Sequence, residues 1–193
     1  MNYYLGIDQS YNSCGIVVLD EKAKVIVSDT LKSSKDRDIF YRAEEISEQI
    51  VSYAHGYNAV MVGIEGLAFS KFGDATRDLA GLQFVIVNRL RYSSNYDDSM
   101  ITIVSPNELK KFATTKGNAK KEEMVDSLPK NVLESFQEQN YRKTTGLYDV
   151  TDAYWIARYI LNKDRSSDAK ALKKSSKKRK AKVAKKKSNK DSN

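Results

Sequence analysis

The chain has one cysteine, Cys14, and one histidine, His55, in 193 residues. A disulfide within the chain is therefore excluded, which fits a reducing compartment. A zinc centre built from Cys and His is excluded too, since the ligands are too few. Any metal used here must be held by carboxylates, which favours Mg2+ or Mn2+. Only two prolines occur, Pro106 and Pro129, so each is informative where it stands. No apolar run approaches the ~18 residues of a membrane-spanning helix, and no secretory leader is visible. The expectation is a soluble, cytoplasmic protein with no membrane partner.

What is abundant is lysine, and it is unevenly placed. From Lys170 to the end there are 11 Lys and one Arg against one acid, Asp191, about +11 in formal charge. The whole chain is +8, so residues 1–169 carry the remaining −3. The isoelectric point near 9.3 thus describes the terminus. Apolar residues thin out after Asn162, and residues 166–193 read as a disordered Lys-rich tail. Residues 1–165 are long enough for one domain with its own core. The tail suits a DNA arm, a solubilising end or, in a eukaryotic context, a nuclear signal.

Hydrophobic periodicity assigns β-strands to 3–7, 14–19 and 23–31, joined by short polar turns as in a meander. Residues 39–53 change to helical period through Ile39, Ala43, Ile46, Ile50 and Tyr53. A buried strand at 59–64 ends on Glu65. Helical period returns at 75–92 through Leu79, Leu82, Val85, Ile86 and Leu90. A fifth strand, 100–104, stops at "SPNE", where Pro106 suits a first helical turn. Residues 125–136 read as a helix that Pro129 breaks or kinks, and 150–161 as the last helix of the core. The class is α/β with a mixed sheet.

Four acids stand at element ends: Asp8, Glu65, Asp149 and Asp152. Each alone has an ordinary reading: a turn residue, a solvated strand end, or helix caps. Together they are more telling. Asp149 and Asp152 are three apart, on one helix face, and adjacent strands would bring Asp8 to Glu65. Gathered carboxylates need a cation. Two divalent ions ~4 Å apart can activate water and stabilise the departing oxygen of a phosphodiester.

The segments "GIDQS" (6–10), "CGIVVLD" (14–20), "GIEGLAF" (63–69), "SPNELKKFATTKGNAKKEEMV" (105–125) and "YDVTDAYWIAR" (148–158) resemble the RuvC-type Holliday-junction resolvases, in family order and particularly the phage-encoded ones. The resemblance implies an RNase H-like five-stranded mixed sheet flanked by helices. By position it implies that Asp8, Glu65, Asp149 and Asp152 are metal-binding catalytic acids holding two Mg2+, with Mn2+ as substitute. It also implies that Lys110 and Lys121 contact DNA, Lys121 assisting catalysis, with Lys116 and Lys120 as further DNA contacts. An aromatic beyond Glu65 resembles the wedge that unstacks bases at a junction centre: Phe69 first, Phe72 second. Gln9 and Ser10 depart from the Pro-Gly often found after the first acid.

The function so implied is endonucleolytic resolution of four-way DNA junctions by a homodimer, with no small-molecule cofactor. The helix at 75–92 is the expected dimer face, unless it is an ordinary core helix. Alternatives are an RNase H-like nuclease for forks or flaps and a non-catalytic branched-DNA-binding protein, which intact acids disfavour. A sugar-kinase-like ATPase shares the Asp8 phrase but needs a second glycine-rich phosphate loop. With 9 glycines, this chain has none.

Overall fold

The computed structural model describes residues 1–67, 73–94 and 96–188. The elements follow in the order β1 (Tyr3–Asp8), β2 (Cys14–Asp20), β3 (Val25–Leu31), α1 (Ile39–Gly56), β4 (Ala59–Glu65), α2 (Asp74–Ser94), β5 (Ile101–Val104), α3 (Pro106–Thr114), α4 (Lys121–Asp126), α5 (Lys130–Glu138) and α6 (Leu147–Ser188). The five strands form one sheet, β3-β2-β1-β4-β5. The first three are an antiparallel meander, and β1, β4 and β5 run parallel. This is the mixed sheet that the element order predicts.

Each face of the sheet is covered. Leu5, Ile7, Ile16 and Ile64 pack against Ile46 and Ile50 of α1 and Leu82, Ile86 and Leu90 of α2. On the other face, Val17 and Leu19 pack with Val150, Tyr154 and Ile156 of α6, alongside Leu109, Met124 and Phe136 from α3 to α5. Trp155 belongs to this second layer: it is buried, and its indole N–H donates to the Met124 carbonyl at 3.2 Å.

Three glycines explain how closely α6 lies on the sheet. A Cβ on Gly6 would come within 2.1 Å of the Ala153 carbonyl oxygen, and one on Gly15 within 2.2 Å of that of Asp149. A Cβ on Gly63 would meet Ile156 at 2.6 Å. These residues leave room for a helix backbone where any side chain would hold it away.

As expected, Pro129 breaks the helical stretch over 125–136: α4 ends at Asp126, and Pro129 caps the start of a separate α5, because its ring and missing N–H cannot sit inside a continuous ladder. The structure corrects the expected dimer face. Leu82, Ile86 and Leu90, expected on a dimer face, are fully buried in the chain's own core. The chain divides into two compact units, Met1–Leu161 and Asn162–Asn193. Within the second, helical backbone runs to Ser188, consistent with the helix propensity of Lys, Arg and Ala.

Candidate active site

Strand register brings the first two acids together. Ile7 pairs with Ile64 across the parallel β1/β4 ladder, and Asp8 and Glu65 follow one residue beyond. Side chains alternate along a strand, so Asp8 shares the face of Gly6, and Glu65 that of Gly63. Both glycines lie beneath α6, and α6 contributes Asp152 from its second turn. The three acids line one cavity of about 390 Å3, with Lys110 of α3 and Lys121 of α4 on its wall.

The carboxyls are half-buried and repel one another. Asp8 is held well above the ordinary carboxylate range by burial, then by the charges of Glu65 and Asp152, and by a hydrogen bond to Glu65. Glu65 is raised by burial, against which the Asp8 hydrogen bond and the ammonium groups of Lys110 and Lys121 pull it down. Burial and the Glu65 charge push Asp152 up to about 7, with Lys121 opposing. Burial and mutual repulsion thus favour proton uptake by this group of acids.

Asp149 is close enough for its charge to raise Asp8 and Asp152, yet its side chain turns aside. Its carboxylate accepts a 2.5 Å hydrogen bond from the Ser13 hydroxyl and lines a neighbouring cavity. Among the described residues, no group of three or more His, Cys, Asp or Glu side chains forms a ready metal cage. The donor set nevertheless fits a divalent ion. It consists of hard carboxylate oxygens, and cation binding would relieve the repulsion that now raises Asp8 and Asp152.

The expected basic residues separate. Lys110 and Lys121 enter the acid cavity, and the Lys121 ammonium lies 5.4 Å from the centre of the Tyr148 ring. Lys116 is exposed and ion-paired to Glu123 at 2.8 Å. Lys120 is exposed before α4, its backbone N–H donating to the Glu123 carboxylate at 2.8 Å. Neither lines the acid cavity. Phe69 and Phe72 lie outside the described residues.

Sequence reasoning missed Gln9 and Ser13. Gln9 is buried beside the acids. Its amide donates to the Glu65 carbonyl at 2.8 Å and to the Gln83 side chain at 2.9 Å. A polar residue directly after a strand-end acid was the available signal, since such a residue must find partners once buried.

The sheet order β3-β2-β1-β4-β5 with helices on both faces is an RNase H-like α/β fold. Similar solved structures include Thermus thermophilus RuvC in complex with Holliday junction substrate (TM-score 0.63, 16% identity, covering 81% of this chain and 91% of that chain). The yeast mitochondrial Holliday junction resolvase Ydc2 is also similar (0.55, 16%, 79% and 75%), as is Fowlpox virus resolvase with substrate Holliday junction DNA (0.52, 13%, 83% and 97%). At such identities the likeness is one of fold. No protein-family model matches the sequence, and no curated protein sequence matches it.

Proposed function

We propose that the chain is a divalent-metal-dependent endonuclease that cuts branched DNA, four-way junctions first among its substrates. The observation carrying this reading is the single cavity in which Asp8, Glu65 and Asp152 meet Lys110 and Lys121. Buried acids beside lysines suit a site where metal ions and a phosphodiester are held together. That two similar structures are complexes with Holliday junction DNA favours four-way junctions over forks and flaps.

Asp8, Glu65 and Asp152 would hold the ions, two of Mg2+ or Mn2+, with Asp149 joining once its Ser13 bond yields. Such ions supply activation of water and stabilisation of the leaving oxygen. Lys110 and Lys121 grip the phosphates beside the scissile one and offset the charge gathered during attack. Lys121 is the candidate for assisting the departing oxygen: both lysines act on Glu65 and Asp152, and at Asp152 the charge of Lys121 outweighs that of Lys110. Lys116 and Lys120 serve the longer-range approach of DNA.

A two-fold substrate is matched most simply by a two-fold protein. The surface proposed for it lies between α1 and α2, a groove of about 660 Å3 bordered by Phe40, Phe84 and Tyr92. These are 81%, 71% and 81% exposed, unusual for large apolar or aromatic side chains.

The test is incubation of synthetic four-way, three-way and linear DNA with Mg2+, comparing the wild type with Asp8→Asn. Cleavage of the four-way junction by wild type alone is expected, with Asp8→Asn still binding it. Absence of cutting on every branched substrate, or equal cutting by the variant, refutes the reading.

A further inference from the structure

The Ser13–Asp149 hydrogen bond lies on the wall of a second cavity. It has a volume of about 350 Å3 and is lined by Ser13, Thr30, Lys32, Lys143, Thr145 and Asp149, among others. Its polar lining exceeds what a packing defect needs: two lysines and several hydroxyl-bearing residues converge there. Lys32 follows the end of β3, and Lys143 comes from the turn that the Arg142–Thr145 backbone bonds close. Gly146 holds that turn with φ +80 against Thr30. Two elements remote in sequence thus bring their lysines to one hollow. Among the described residues neither ammonium is in an ion pair; Lys143 acts on Glu122 only at longer range.

Position gives this hollow its meaning. Asp149 is a wall of the second cavity, and its charge acts on Asp8 and Asp152 in the first. Lys110 and Lys121 line the acid cavity itself; past Asp149, the second cavity adds Lys32 and Lys143. Hydroxyls of Thr30 and Thr145 add neutral donors suited to phosphate oxygens. Tyr148 is the one aromatic on the wall; its hydroxyl is bonded to Glu122 at 3.1 Å and its ring faces Lys121. The lining is thus built for an anion.

We propose that the cavity of Lys32, Lys143, Thr30 and Thr145 is a phosphate subsite of the cleaved strand, holding a backbone phosphate beyond Asp149. This rests on the nuclease reading above and adds to it a second anchoring point. Two separate anchoring points fix the strand's direction through the site. One anchor alone would let it pivot. The ligand class is a nucleic-acid phosphodiester, bound without reading its base.

The test uses the full chain and compares wild type, Lys32→Ala/Lys143→Ala and Lys32→Arg/Lys143→Arg. Affinity for a four-way junction is measured by fluorescence anisotropy at several salt concentrations with Ca2+, and cleavage is followed separately with Mg2+. The alanine pair is expected to bind about 10-fold more weakly, with unchanged melting temperature and Mn2+ affinity. Its slope of log K against log salt should be shallower by about 0.9, the contribution of the one phosphate no longer neutralised. The arginine pair should restore binding. Junctions carrying single methylphosphonates then locate the phosphate that is held. Neutralising one phosphate flanking the cut weakens wild type about as much as the alanine pair is weakened, and leaves the alanine pair unaffected.

If wild type binds and cuts the junction while the alanine pair matches it in affinity and salt slope, the subsite is overturned and the nuclease reading stands. The subsite also fails if every methylphosphonate weakens the two proteins equally. If wild type neither binds nor cuts, the nuclease reading falls and takes the subsite with it.

Discussion

The Gln9 side chain bonds the Glu65 carbonyl at 2.8 Å, tying the end of β1 to the end of β4 where their two acids meet. The same amide reaches Gln83 of α2 at 2.9 Å, so the helix outside the sheet holds the spacing as well. Removing this clamp leaves the Glu65 backbone one partner short and lets the acids separate. Gln9→Ala is expected to weaken Mg2+ dependence of cleavage roughly 10–100-fold, the usual effect of losing a partner that orients metal ligands. A Mg2+ titration of junction cleavage checks this, with Gln9→Glu as a size-matched comparison that lacks the amide donor. An unchanged titration curve would remove Gln9 from the site.

The raised acids make a pH prediction. Asp152 is pushed from its ordinary 3.8 to about 7 in the folded chain, and Asp8 and Glu65 shift the same way. The folded state therefore binds protons that the unfolded chain has released. Their contribution to stability is full below pH ~4 and is lost as pH rises towards about 7. In chelator, the melting temperature should fall between pH 5 and 8. Asp152→Asn should flatten that fall, and Mg2+ should raise the melting temperature more at pH 8 than at pH 5.

Gly15 and Gly6 permit the close approach of α6. Gly15→Ala would drive a methyl to 2.2 Å from the Asp149 carbonyl oxygen, so α6 must retreat just where it carries Asp149. The expected cost is at least the ~1–3 kcal/mol of overpacking, read by urea denaturation, with cleavage lost beyond the loss of folded protein. Gly56→Ala, where nothing stands within 4 Å, should do neither.

The proposed dimer is open to a simple measurement. Light scattering should give twice the 21.9 kDa chain mass for the wild type and the single mass for Phe84→Glu, whose charge would enter the apolar groove. Since Phe84 is 71% exposed, the variant should melt as the wild type does when both are monomeric by dilution. A monomeric wild type at all concentrations contradicts the proposal.

Deleting residues 167–193 removes the cluster of 11 Lys and one Arg while sparing Met1–Leu161, which carries the sheet and its core. Junction affinity should drop and its salt dependence flatten by several units in slope, with melting unchanged. Equal affinity for the shortened chain would assign the tail another task.

Strands and the long helices were legible in the chain alone, since apolar period changes from two to 3.6 are local signals. Local pattern also placed Asp8, Glu65 and the Asp149/Asp152 pair at element ends, because an acid that closes an apolar run stands out without any fold. Which surfaces those elements use emerges in the folded chain. Leu82, Ile86 and Leu90 have the same period whether they face a partner or their own sheet, and packing against α1 chose the sheet. Folding likewise divided four similar acids into three that share a cavity and one, Asp149, turned to Ser13. Gln9 acquires its role only across 56 residues of chain. Local pattern cannot encode such a pairing, because it arises when parallel strands bring distant backbone groups within hydrogen-bond reach and burial obliges them to bond.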